Sequence, residues 1–357
     1  MLISSFCSLL LSYILNLRKK LNKDIVLLYN YSLTSSFLII SVLLLSCNSS
    51  KKSDRIWEDA TKIFRTIPNK VPGSNSDTPE LISLGQRLYN DNRLSLDGSI
   101  SCNSCHPVTN DKAGADNTAL SIGVKGKRTQ RNTPSIINSA FQFALYRDGK
   151  FNNYNELIKD HLFNSGEMKL SSEKELESRI SYDKEYTLDF ERLFPREKRK
   201  ISISTVTVAL SAYLRTLVTK GSRFDEYLSG NRKVLTEQEQ DGLSLFLSQG
   251  CITCHNGPLL GGNSFRKIGT AHPYNKGSDK GRYNVTKRPQ DQYYFKVPSL
   301  RNISLTGPYF HDGSVQTLED AVRLMGYYQL GKNFSVSEVE SLVTFLKALS
   351  DSPDLQN

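Results

Sequence analysis

Cys102-Asn103-Ser104-Cys105-His106 and Cys251-Ile252-Thr253-Cys254-His255 decide how this chain is read. Each is a Cys-x-x-Cys-His, the attachment pattern of c-type haem. Two thiols one turn apart can add to the two vinyl groups of one porphyrin. The histidine that follows then turns its imidazole to the iron as proximal ligand. A single copy could be chance, a redox dithiol or half of a zinc site. Zinc needs four ligands converging on one ion. These motifs lie 149 residues apart and each carries its own histidine. The pair therefore reads as two covalent haems.

The chain has 357 residues, enough for two modest domains once an N-terminal leader is set aside. Of its six cysteines, four sit in the motifs and two, Cys7 and Cys47, in the leader, so none is left for a structural disulfide. The formal charge is +10, of which Arg18, Lys19, Lys20 and Lys23 against Asp24 account for +3, leaving +7 for the rest. Haem propionates offset part of that, so a nucleic-acid partner is not expected. The basic run Lys125, Lys127, Arg128 and Arg131 reads as a propionate clamp rather than a solvated loop.

The leader, 1–46, has two apolar stretches separated by Arg18-Lys19-Lys20. The second ends Leu43-Leu44-Leu45-Ser46-Cys47, which resembles a bacterial lipobox. A lipidated Cys47 would tether the protein to a membrane from the periplasm. An ordinary signal peptide or a membrane helix fits the same residues. The first stretch reads as read-through from upstream of the true start. Haem is attached to c-type cytochromes outside the cytoplasm, so export is expected in every case.

Beyond the leader the pattern is mainly helical. Thr78-Pro79-Glu80 is an N-cap with proline at the first helical position. Thr236-Glu237-Gln238-Glu239 is a capping box opening a helix that runs into the second motif. Ile201–Leu217 reads as a long apolar helix that links or buttresses two domains, and Ser335–Leu349 as the last helix. The stretches 107–133 and 256–297 read as long irregular loops. The expected fold is two cytochrome-c-like haem domains related by an internal repeat. The expected boundaries are a tether over 47–77, a first domain over 78–200, a linking segment over 201–235 and a second domain over 236–357.

The repeat is explicit. Pro134-Ser135-Ile136-Ile137-Asn138 matches Pro298-Ser299-Leu300-Arg301-Asn302 at an offset of 164, and Asp148-Gly149 matches Asp312-Gly313. Only three methionines exist, Met1, Met168 and Met325. Met325 lies on a helix after the second motif, where its thioether would complete a His255/Met325 iron. The same offset pairs Met325 with His161, so His161 is expected over the first haem. It either ligates that iron or stays free as an acid–base group. Glu167, six residues on, is a second candidate for the same pocket.

These features resemble the bacterial di-haem cytochrome c peroxidase family, which includes the di-haem enzyme of methylamine utilisation. The resemblance spans about residues 78–350. It is carried by Arg131-Asn132-Thr133-Pro134, Gly166-Glu167-Met168, Asp279-Lys280-Gly281-Arg282, Leu300-Arg301-Asn302, Gly307-Pro308-Tyr309-Phe310-His311-Asp312-Gly313 and Leu324-Met325-Gly326. It implies that the His106 haem reduces hydrogen peroxide with Glu167 as distal catalytic residue. The His255/Met325 haem would take electrons from a small cytochrome c or copper protein. It also implies a calcium ion held by oxygens of Asn132, Thr306 and Pro308, and places His311 near the path between the haems. Dimers are common in that family, so a homodimer is compatible with this reading.

Four positions depart from the family pattern. Its displaceable loop histidine falls at Val124 here, its inter-haem tryptophan at Arg147 beside Tyr146, its distal glutamine at Leu157 and its distal proline at His161. The only tryptophan, Trp57, precedes the first domain. Two rivals stand beside a peroxidase: an electron carrier with both irons six-coordinate, and an oxidase acting on a protein or organic substrate. Met325 argues against the oxidase, because that relative carries tyrosine there.

Overall fold

The computed structural model describes residues 52–109, 111–274 and 277–351. The leader expected over 1–46 and the anchor expected at Cys47 lie outside the described residues. Among the described residues, no helix is long and apolar enough to cross a membrane. From Ile56 onward the chain forms one unit, mostly helical, with two hydrophobic clusters.

Each cluster is built on one pair of crossing helices. In the first, Pro79–Tyr89 starts where Thr78 accepts from the Leu81 N–H, with proline in the opening turn. Its buried stripe of Leu81, Leu84, Leu88 and Tyr89 lies against Ile203–Thr216. In the second, Glu237–Ser248 and Val336–Lys347 are both opened by capping boxes, Thr236 with Glu239 and Ser335 with Glu338, and they cross likewise. A glycine sits at each crossing. A Cβ on Gly85 would run into the Ala209 carbonyl, and one on Gly242 into the Ser341 carbonyl. The helices therefore approach at backbone distance. Ala209 and Ser341 lie 132 apart, as do Tyr213 and Phe345, whose Cβ atoms would stand 2.9 and 2.8 Å from a Cβ on the same glycines.

The offset of 164 governs the middle of each half. Leu145 bridges Phe151 and Tyr309 bridges Val315. Asn138 and Asn302 both have φ of 60°, and Tyr146 and Phe310 have φ of 68° and 69°. Helices Tyr154–Phe163 and Leu318–Leu330 begin at equivalent positions. The change from 164 to 132 comes from extra chain in the first half, where Glu173–Ser181 and Lys184–Leu193 form two further helices. The halves meet at Thr219, whose hydroxyl oxygen accepts from both repeat asparagines, Asn138 Nδ2 at 3.1 Å and Asn302 Nδ2 at 3.0 Å. Strand content is two short antiparallel pairs among the described residues, Val108–Thr109 with Lys112–Ala113 and Phe265–Lys267 with Tyr294–Lys296.

Two expected segments are placed differently. The expected linker 201–235 is divided between the clusters. Val206, Ala209, Leu210 and Tyr213 belong to the first, while Phe224, Tyr227 and Leu235 belong to the second. The expected tether 47–77 contains Ile56, Ala60 and Phe64, buried in the second cluster. Trp57 is anchored there too, donating from Nε1 to the Tyr227 carbonyl at 2.9 Å. The chain thus begins its described part on the half that it completes last.

Gly242→Ala should destabilise the holoprotein by about 1–3 kcal/mol, the range for forcing extra volume into a packed core. Denaturant unfolding against the parent checks this, and parent-like stability of Gly242→Ala would contradict the close helix crossing.

Candidate haem sites

The first motif forms the short helix Cys102–Cys105, capped by Ser101 and Ser104 in a reciprocal box. His106 follows at its end. The hairpin of Val108–Thr109 and Lys112–Ala113 turns the chain back, so that the Gly114 carbonyl accepts from His106 Nδ1 at 3.0 Å. The Tyr89 hydroxyl donates to the His106 carbonyl. In the second motif His255 Nδ1 donates to the Leu260 carbonyl, also at 3.0 Å. With Nδ1–H committed in both rings, the Nε2 lone pair is the one available to a metal.

Burial first, then the neighbouring His161, pulls His106 down to about 4. Burial likewise lowers His255. Both imidazoles are held neutral, the form that ligates. Burial also pushes Cys102 up to about 12, and Cys105 and Cys251 to about 11. Each motif opens onto its own cavity, and the donor sets fit a c-type haem in both.

Met325, on Leu318–Leu330, lines the second cavity together with His255, Cys251 and Cys254. His161 and Glu167 line the first with His106. The first cavity is the roomier, about 860 Å3 against about 270 Å3. It also differs in its distal chemistry. His161 Nδ1 donates to Glu167. The Tyr146 ring stacks on His161 at 5.2 Å between centroids, and its hydroxyl lies 3.3 Å from both Glu167 and Asp160. Burial, then the charges of Glu167 and Asp160, pushes the Tyr146 phenol far above its ordinary value. It stays a donor. Asn164 Nδ2 donates to Glu167 at 3.4 Å. The His106 and His161 rings lie 6.4 Å apart at an interplanar angle of 82°.

The loop that carries a histidine ligand in the resembling family is closed here. Val124 is fully buried and its N–H donates to the Glu167 carbonyl at 3.0 Å. Leu157 lines the first cavity.

Of the expected calcium ligands, Asn132 lines the first cavity and Thr306 and Pro308 the second. Both oxygens of Asn132 are taken by Arg147, Oδ1 by Nη2 and the carbonyl by Nε at 3.3 Å. The Thr306 hydroxyl donates to the Ile303 carbonyl at 3.2 Å. A cationic side chain thus holds the Asn132 oxygens that a calcium would need, and Asn132 as placed does not fit the ion. The basic run is also redirected. Arg131 is bound by Asp148 at 2.6 Å and by Asp279 at 2.6 and 2.8 Å. Lys125 is exposed, leaving Lys127 and Arg128 on the rim of the first cavity.

Sequence reasoning passed over Lys296 and Gln142, which line both cavities, and Asp160 beside Tyr146. Lys296 was findable, because it stands at the repeat position of Asn132.

Residues 79–233 match the family described as di-haem cytochrome c peroxidase. The chain is 40% identical over 321 residues to cytochrome c551 peroxidase of Nitrosomonas europaea, covering 89% of this chain and 93% of that one. It is 37% identical to cytochrome c551 peroxidase of Pseudomonas aeruginosa, with the same coverage. Among solved structures it is similar to a MauG-like protein associated with microbial copper homeostasis. That similarity has a TM-score of 0.70 at 31% identity, over 80% of this chain and 93% of the other.

Changing Cys102 and Cys105 together to serine should leave a chain carrying one covalent haem where the parent carries two. Intact mass under denaturing conditions reads the difference, and equal masses apart from the substitutions would contradict two independent attachment sites.

Proposed function

The chain belongs to the di-haem cytochrome c peroxidase family, and from that premise we propose that it reduces hydrogen peroxide to water at the His106 site. The electrons come from a small donor protein, a cytochrome c or a copper protein, through the His255 site. One observation carries this division of labour. At equivalent distal positions the first half has Tyr146 and His161, which can hold a proton, and the second has Phe310 and Met325, which cannot.

When bound at His106, a haem supplies the iron that takes up peroxide and the electrons that break its O–O bond. The chain's own part is the proton. Glu167 accepts it from one peroxide oxygen and returns it to the departing one. Tyr146 and Asn164 orient the carboxylate through one oxygen, and His161 donates to the other. Two electrons and two protons convert one peroxide into two waters. Met325 is the thioether that would complete the iron at His255, favouring a high potential and electron entry there.

A specific observation supports a closed resting state, which also keeps the carrier reading in play. One metal shared by two imidazoles, with bonds of about 2.0 Å each, sets ring centres roughly 6–6.5 Å apart. The His106 and His161 rings are 6.4 Å apart. His161 would then take the role that the family gives to a loop histidine, and it would have to move away from His106 before peroxide enters.

The lipobox-like Leu44-Leu45-Ser46-Cys47, with the need to attach haem outside the cytoplasm, supports a periplasmic protein tethered through Cys47.

Resting EPR of the holoprotein should show two low-spin irons, and His161→Ala one high-spin iron. Glu167→Gln should retain both haems and lower peroxide-dependent oxidation of a reduced small cytochrome c by about 10²–10⁴-fold. Absence of turnover in both the parent and His161→Ala, before and after one-electron reduction, would leave the carrier.

A further inference from the structure

The two cavities share a wall made of Thr133, Pro134, Ser135, Gln142, Arg147 and Lys296. Two of these six are cations. Lys296 is 7% exposed and its ammonium donates to Gln142 Oε1. Arg147 donates to the two Asn132 oxygens. Among the described residues, no carboxylate is hydrogen-bonded to either cation. Their positions are fixed by backbone. The Lys296 N–H donates to the Arg147 carbonyl at 2.8 Å, and the repeat-equivalent bond runs from the Asn132 N–H to the His311 carbonyl at 2.9 Å. These crossed bonds hold the halves together at the wall.

Burying a cation without a hydrogen-bonded anion is costly. Asp312 is the carboxylate whose charge acts on Arg147, against that of Arg131, and the Arg131 charge is itself met by Asp148 and Asp279. A pair of cations held this way is built for anions that arrive from the cavities. Resting on the two-haem reading above, those anions are the propionate carboxylates of the haems.

We propose that Arg147 and Lys296 form a permanent cationic bridge between the two haem sites. The bridge binds propionates from both sides, and the Arg147 guanidinium stands in for an inter-site calcium by occupying the oxygens of Asn132. A fixed positive charge beside both irons stabilises their reduced forms and raises both potentials. Unlike a bound ion, it cannot be removed by a chelator.

The test uses holoprotein whose two covalent haems have first been counted by haemochrome assay. A count other than two would overturn the two-haem reading itself and is thereby distinguished. Protein equilibrated with calcium and then desalted is analysed for bound metal, and both midpoint potentials are titrated spectroelectrochemically with and without EGTA. The same titration is run on Arg147→Lys, Arg147→Gln and Lys296→Gln. Expected are no stoichiometric calcium and potentials unmoved by EGTA. Arg147→Gln and Lys296→Gln should each lower both potentials, with the parent values largely kept in Arg147→Lys. One calcium per chain, a shift on EGTA treatment, or unchanged potentials in the glutamine variants overturns the proposal. If Arg147→Gln does not fold, the parent's calcium content and Lys296→Gln still decide.

Discussion

A neutral imidazole carries its proton on one of two nitrogens, and at both sites a single carbonyl chooses which. Gly114 and Leu260 each take Nδ1–H of the motif histidine at 3.0 Å. Nε2 is thereby left as the ligating atom. The long loops exist largely to deliver these carbonyls. A two-residue hairpin returns Gly114 to His106, and a turn through Gly257 and Leu260, both at positive φ, returns the chain to His255. The distal sides, the cavities and the wall between them are all arranged around where those two rings point.

The repeat places a second side chain opposite each ring. The offset of 164 was legible in sequence because the Pro-Ser and Asp-Gly turns need particular residues, and turn chemistry tolerates few substitutes. It correctly set His161 and Met325 on equivalent helices, each lining its own cavity. It gave no access to the closing helices. Glu173–Ser181 and Lys184–Leu193 shift the register of everything after them. Ile203–Thr216, the repeat counterpart of Val336–Lys347, therefore read as a connector. Its all-round apolar pattern marks burial but not the surface it is buried against.

The N-terminal segment was hidden for a related reason. Ile56, Ala60 and Phe64 have helical spacing, yet they are buried in the second cluster, where Phe64 packs on Phe224 and Phe246. Local pattern cannot report a contact made across so much chain. Arg147 posed a third kind of difficulty. Its departure from the family pattern was plain, but the consequence depends on Asn132 lying within reach of its guanidinium. Only the folded chain brings those two groups together.

Two halves related by a repeat would, left symmetric, make two equivalent redox sites. Directional electron flow needs them unequal, and the inequality is written in a few paired positions. His161 corresponds to Met325, and Tyr146 to Phe310. Their backbones superpose in conformation, with φ of 68° and 69° for the latter pair, so the difference is purely side-chain chemistry. A thioether favours reduced iron, while an imidazole with a carboxylate on its Nδ1 becomes a stronger donor and favours oxidised iron. With His161 and Met325 as the proposed ligands, the second site would be the better electron acceptor at rest. The wall acts differently. Arg147 and Lys296 come one from each half and border both cavities, so their charge moves both sites in the same direction. On the proposed reading, the paired distal side chains set the difference between the two sites, and the shared cations set their common level.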